Sequence, residues 1–279
     1  MSSSLGLKTL LARCTARLDI SGGPAGTAFF VAPGYAVTAA HVVGGTAELD
    51  VWLHSPRGSW QGHVKDVRPA VATPAAVVPG RPYPAPDVAL IRIDDGPEHL
   101  CAMLGGQLPD DGTPVSVRGH TRTFDGVAVT AETESFRLSG ELETPDPECT
   151  LLKLGQGQAA KGMSGAPVLN PRTGEVIGML RTSRNTSTDL GAWVVPAAVL
   201  CRLWPQQIRL GDDRLHRHYD LWRHAAQDAA PAGPAPGSGG MVIGAIHGDV
   251  GFMMSGGHAE VVNVTSPPPA RRHGTGGEH

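Results

Sequence analysis

The sequence predicts a mostly-β globular body followed by a looser C-terminal stretch, and three observations point that way. Short segments rich in Val, Ile, Phe and Thr recur between Gly and Pro punctuation. Helical periodicity is nearly absent before residue 197. The chain also carries 37 glycines and 24 prolines in 279 residues, too many for an all-helical protein. Twelve of those glycines and six of the prolines fall in residues 229–279, which marks that end as the looser part.

The expected strands run over residues 27–31, 35–38, 47–53, 88–93, 114–118, 127–130, 150–154, 166–169, 176–180 and 192–195. So many short strands with turn signals between them suit a barrel or sandwich rather than alternating strand–helix units. Helical pattern begins at residues 197–204 and returns after Gly211. There Asp212 can cap a helix with Leu215, Tyr219, Trp222 and Ala226 on one face. Arg214, Arg217, His218, Arg223 and His224 lie on the other. Such a basic amphipathic helix suits a membrane or partner surface, or a stripe packed on the body with a solvated back. Residues 229–240, AAPAGPAPGSGG, read as a flexible linker. Residues 241–264 form a Gly-punctuated apolar segment of low charge, and the Pro-rich residues 265–279 are expected to be disordered.

Composition also excludes function classes. Hydrophobic residues make up 41% and charged residues 18%, as in a soluble domain with a real core. The formal net charge of -3 gives no basic surface for a phosphate backbone, so no nucleic-acid partner is expected. No stretch approaches the roughly 20 apolar residues of a membrane span. Residues 1–11 carry one Lys and no apolar run of the kind a signal peptide needs, so a cytoplasmic protein is expected. Cys14, Cys101, Cys149 and Cys201 fit no metal-ligand spacing and read as reduced, buried thiols. No metal or cofactor is expected.

Three local contexts carry chemistry. A nucleophilic hydroxyl needs a base to take its proton, and the base needs an orienting acid. His41 follows two apolar strands joined by Pro33-Gly34, and Ala39-Ala40 before it permit a tight approach to neighbouring backbone. Asp87 stands at the mouth of the apolar run 88–93. There it is either a poorly solvated carboxylate in need of partners or an exposed strand-start residue. Ser164 lies between Gly162 and Gly165, in a loop whose glycines permit a strained turn. The amides of Gly162 and Ser164 could there converge on one point. Any one of these contexts also suits an ordinary loop; the set of three is what points to catalysis.

TAAHV, DVALIRI and GMSGAPV resemble the three catalytic blocks of the trypsin/chymotrypsin serine proteases, in that family's order of His, Asp and Ser. The resemblance covers roughly residues 10–205. It implies two six-stranded antiparallel β-barrels, about 10–100 and 101–200, with the active site in the cleft between them and a closing C-terminal helix. In the roles it implies, His41 is general base and then general acid, Asp87 orients it, and Ser164 attacks the carbonyl. The Gly162 and Ser164 amides bind the oxyanion. Gln158, Leu180, Arg181, Thr182 and Ala192 are expected on the substrate-pocket wall. The expected activity is peptide-bond hydrolysis through an acyl-enzyme. A catalytically idle barrel that binds peptides or scaffolds an assembly is the rival reading.

Departures from the family refine this. No cysteine flanks His41, which suits an intracellular, bacterial-type branch. Met163 precedes the nucleophile where activated digestive proteases carry an Asp, so activation by a freshly cut N-terminus is not expected. Gln158 stands six before Ser164, at the depth where trypsin has an acid, so no preference for Arg or Lys is implied. Residues 241–264 are similar to short β motifs at the ends of bacterial effector proteins. By that similarity they would recruit a sensor or activator through strand pairing, in a signalling or defence system.

Overall fold

Alternating burial along short strands builds two closed sheets. The computed structural model describes residues 5–70, 83–94, 98–122, 129–183, 190–229, 250–255 and 258–263. In the first half run β1 (Thr15–Ile20), β2 (Gly23–Ala32), β3 (Tyr35–Thr38), β4 (Asp50–Ser55), β5 (Gly58–Arg68) and β6 (Val88–Ile93). They close in the order β1-β2-β3-β6-β5-β4. The second half holds β7 (Pro114–Arg122), β8 (Val129–Glu143), β9 (Thr150–Gln158), β10 (Pro167–Asn170), β11 (Glu175–Ser183) and β12 (Leu190–Pro196). These close as β10-β11-β12-β9-β8-β7, and all the pairings in both barrels are antiparallel. The fold is therefore the expected pair of six-stranded barrels. Closure leaves neither sheet with a free edge.

Each barrel fills with its own inward side chains. Barrel one buries Phe29, Phe30, Trp60, Val64 and Ile91, and the Phe30 and Trp60 rings meet edge-on at 5.0 Å. Barrel two buries Val117, Phe136, Leu154, Met163 and Val194. The helices then cover exposed apolar surface. α1 (Leu7–Cys14) buries Leu7, Leu10, Leu11 and Cys14 at helical spacing. This helix corrects the expectation that helical pattern is nearly absent before residue 197. Gly6 at its start offers no side-chain cap, so the usual start signal is missing.

α2 (Ala197–Leu203) and α3 (His216–Ala229) match the two helices expected after barrel two. Asp212 accepts a hydrogen bond from the Arg214 amide at 3.0 Å and caps the short 3-10 turn (Asp213–Leu215) that leads into α3. Leu215, Tyr219, Trp222 and Ala226 are all buried, so the apolar stripe packs on the body; Arg214, Arg217, Arg223 and His224 are exposed, while His218 is half-buried and accepts from the Cys101 amide at 3.2 Å. The Trp222 indole donates to the Cys101 carbonyl at 3.0 Å, which ties α3 to the segment between the barrels. Among the described residues no helix is long and apolar enough to cross a membrane.

The chain divides into Met1–Ala230 and Pro231–His279. In the second unit β13 (Val250–Ser255) and β14 (His258–Asn263) pair antiparallel, from Val250 opposite Asn263 to Ser255 opposite His258. Residues 230–249 and 264–279 lie outside the described residues. These include nearly all of the expected linker and the whole expected disordered tail.

Candidate active site

Strand register brings His41 and Asp87 together. β3 and β6 run antiparallel with Thr38 opposite Ala89, so the end of one lies beside the start of the other. A 3-10 turn (Ala40–Val43) follows β3 and carries His41; Asp87 stands immediately before β6. The turn and the aspartate are joined at several points. The Ala40 amide donates to the Asp87 carbonyl at 3.2 Å and the His41 amide to Asp87 Oδ1 at 3.0 Å. His41 Nδ1 lies 2.8 Å from Asp87 Oδ2. A carboxylate oxygen accepts, so Nδ1 carries a proton, and in the neutral ring Nε2 is then the nitrogen with the lone pair, the tautomer a general base requires.

Asp87 is 1% exposed and its backbone φ is +61°, in the left-handed region that a non-glycine residue rarely adopts. That conformation costs on the order of 1–3 kcal/mol and persists only where surrounding bonds over-determine it. The exposed-loop alternative for Asp87 is thereby excluded.

Ser164 sits in the loop before β10. Gly162 has φ +103°, and a Cβ there would stand 2.4 Å from the His120 carbonyl oxygen. Gly165 has φ +89°, and its Cβ would stand 1.9 Å from the Thr27 carbonyl oxygen. Only glycine fits either place. Met163 between them is fully buried in the core of barrel two, an apolar anchor for the loop. The Met163 amide donates to Ala160, Gly165 to Leu180 and Ala166 to Met163. Among the described residues the amides of Gly162 and Ser164 have no protein acceptor, and Ser164 Oγ has no hydrogen-bond partner. Two N–H groups without a protein acceptor thus stand on either side of Met163 in this loop.

Barrel one grips this loop through Thr27 of β2. The Thr27 amide donates to the Ser164 carbonyl at 3.0 Å, and Thr27 Oγ1 donates to the Gly162 carbonyl at 2.8 Å. The same hydroxyl accepts from the His120 amide at 2.8 Å, and Thr38 Oγ1 donates to the Thr27 carbonyl at 2.7 Å. Next to Thr27, a Cβ on Gly26 would stand 2.8 Å from Val42 Cγ1 and 3.3 Å from the Ser164 carbonyl oxygen. The residue after His41 and the backbone of Ser164 thus meet at one point on β2. The three catalytic candidates, 46 and 77 residues apart in sequence, fall in one region where the barrels join.

The expected pocket residues behave differently from one another. Leu180 and Ala192 are buried in the core of barrel two. Gln158 is exposed at the end of β9, opposite Leu190 and Gly191. Thr182 pairs with Trp193 across β11 and β12, and its side chain lies outside the described residues. Arg181, the fifth residue expected on the pocket wall, makes specific bonds to barrel one. Its side chain is buried and donates from Nε to Asp87 Oδ2 at 3.1 Å and from Nη2 to the Tyr83 carbonyl. The signal available in the sequence was a lone cation inside the apolar strand IGMLRTS, a residue type that is almost never buried without a partner.

Other titratable groups are tuned by burial. Burial pushes the Cys14 thiol up to about 12 and Cys201 to about 11, and raises Cys101 and Cys149. Cys14, Cys101 and Cys149 are buried as expected, whereas Cys201 is only half-buried; protonated thiols are poor nucleophiles. Burial holds His99 down at about 4, helped by His218, and His120 at about 4, helped by Arg118 and Arg17. An unfolded imidazole binds its proton near pH 6.5. Between about 6.5 and 4 the unfolded chain therefore takes up protons that these two folded side chains refuse. Their contribution is complete above about pH 6.5 and drains away as pH falls towards 4, by up to about 3 kcal/mol each. Chemical denaturation at pH 7 and pH 4.5 is expected to expose this loss, with a shallower fall in His99→Gln; an equal fall in that variant would contradict it.

The site can now be set beside known proteins. A family model described as the trypsin-like peptidase domain matches residues 26–179, which takes in His41, Asp87 and Ser164. No curated protein matches the chain. Among solved structures it is similar to a mutant, inactive form of Rv3671c from M. tuberculosis H37Rv, at 18% identity and TM-score 0.54, covering 72% of this chain and 89% of that one. It is also similar to the MamO protease domain from Magnetospirillum magneticum, at 18% identity and TM-score 0.50, over 70% and 98% of the two chains. The HtrA-type protease AlgW with a decapeptide matches at 14% identity and TM-score 0.53, over 72% and 67%. These likenesses are ones of fold. With more than half of its length matched by the family model, the chain belongs to the trypsin-like serine peptidase family.

Proposed function

We propose that the chain is a serine endopeptidase that works through a Ser164–His41–Asp87 triad. The observation that carries this reading is the 2.8 Å contact between His41 Nδ1 and the buried Asp87, which leaves Nε2 as a free base. In the reaction, the Ser164 hydroxyl attacks the scissile carbonyl as His41 Nε2 takes its proton. The amides of Gly162 and Ser164 stabilise the oxyanion, a contribution worth about 10²–10³ in turnover per donor. His41 then gives the proton to the departing amine, leaving an acyl-enzyme on Ser164. A water, deprotonated by His41, releases the acid.

The buried Met163 and the four free thiols favour control by assembly in a reducing compartment over activation by proteolysis. Residues 241–264 supply the means. The antiparallel pair β13–β14 has two edges on which an activator strand can add, as in a bacterial signalling or defence system. The test is a peptide-library cleavage profile of the full chain, alone and with candidate partners. Cleavage that disappears in Ser164→Ala is expected. Turnover of esters but of no peptide would make the protein an esterase, and peptide binding without turnover under every condition would make it a scaffold.

A further inference from the structure

Asp87 has one partner that the triad does not require. Arg181 reaches it from barrel two, 94 residues further along the chain, with its side chain 9% exposed against 1% for Asp87. The cause is local. The ladder between β11 and β12 pairs Leu180 with Val194 and Thr182 with Trp193, and the register shifts between Leu180 and Thr182. Arg181 is the extra residue of that bulge, and a bulge re-aims the side chain it carries. Here the guanidinium is directed across the junction of the barrels onto the carboxylate and onto the Tyr83 carbonyl four residues before it.

The same stretch of β11 holds the nucleophile loop. The Gly165 amide donates to the Leu180 carbonyl and the Leu180 amide to the Ala166 carbonyl, both at 2.8 Å. A short path thus runs from the loop bearing Ser164 through Leu180 and Arg181 to Asp87, and on to His41. We infer that Arg181 is a positioning residue of the reaction, fixing the triad carboxylate to the strand that fixes the nucleophile loop. The inference rests on the triad reading above.

Two consequences follow from the charges. Asp87 is a buried acid, and burial of a carboxylate is tolerated only with a counter-charge and a full set of donors. Arg181 supplies that counter-charge from barrel two, 3.1 Å from Oδ2. Arg181 also takes part of Oδ2, which fixes the direction from which His41 Nδ1 must approach that oxygen.

Arg181→Met keeps the length of the stem and removes the cation. In this variant kcat is expected to fall by about 10- to 100-fold, as for other small misplacements of catalytic groups, with KM changed by less than about threefold. Arg181→Lys restores the charge without the fork and is expected to recover part of kcat. Thermal melts read the pairing independently of turnover. Arg181→Met should lower the melting temperature where Asp87 is present and lower it less, or raise it, in the Asp87→Asn background. If Arg181→Met does not fold, Arg181→Lys carries the test, with kcat reduced and KM unchanged.

An active wild type whose Arg181→Met variant keeps kcat within twofold overturns this inference, and so does a loss confined to KM, which would return Arg181 to the substrate-pocket wall. Equal melting shifts in the two backgrounds also overturn it. A wild type inert towards peptides and fluorophosphonates, yet with the melting coupling intact, would instead overturn the triad reading.

Discussion

Asp87→Asn is expected to lower kcat by about 10⁴, because an amide in place of the carboxylate presents a donor to His41 Nδ1 and selects the wrong tautomer. The substitution should also cost stability, which sets this chain apart from one whose triad acid has no cation behind it. Arg181 would be left buried beside a neutral amide, and breaking a buried pair from one side costs about 3–5 kcal/mol. Peptide turnover at saturating substrate and chemical denaturation read the two effects separately. A variant as stable as wild type would contradict the bonding described for Asp87, and one that kept kcat within tenfold would contradict its role.

Gly165→Ala should be nearly as severe for a steric reason. The added methyl would lie 1.9 Å from the Thr27 carbonyl oxygen and 2.5 Å from Thr38 Oγ1, at a φ of +89°. Both obstructing groups belong to barrel one and are held by their own hydrogen bonds, so neither can move aside cheaply. Left-handed strain adds on the order of 1–3 kcal/mol to that clash. The loop must then leave β2 or the barrels must part, and either displaces Ser164. The reaction rate with a fluorophosphonate is expected to fall by more than about 10²-fold, as for other misplaced catalytic groups. A rate near that of wild type would mean that the loop does not need its present contact with Thr27.

The candidate site was legible in the sequence wherever local chemistry decides the outcome. β3 and β6 begin and end where the apolar runs do, and their register alone carries His41 to Asp87. Ser164 was marked by Gly162 and Gly165, whose left-handed backbone no other residue adopts easily. The stripe from Leu215 to Ala226 on α3 was legible for the same reason, since its spacing has one meaning once Asp212 caps the segment.

Elements that depend on distant partners were not legible. β1 reads TARLDI, with a charged pair at Arg17 and Asp19 that bond to each other at 2.7 Å, so its apolar face is half hidden. β5 carries Gln61, His63, Lys65 and Asp66 and has a bulge that interrupts its alternation. The direction of Arg181 is set by another bulge, which only the pairing of β11 with β12 produces. A pattern of residue types carries the period of a strand but not its slips.

The account turns on whether Ser164 is a nucleophile activated by His41 where the barrels join. Mapping the adduct left by a fluorophosphonate on the full chain tests this most directly. The predicted result is a single modified residue, Ser164, with the modification lost in His41→Ala. An adduct on a different serine, or one on Ser164 that forms equally fast without His41, would contradict it.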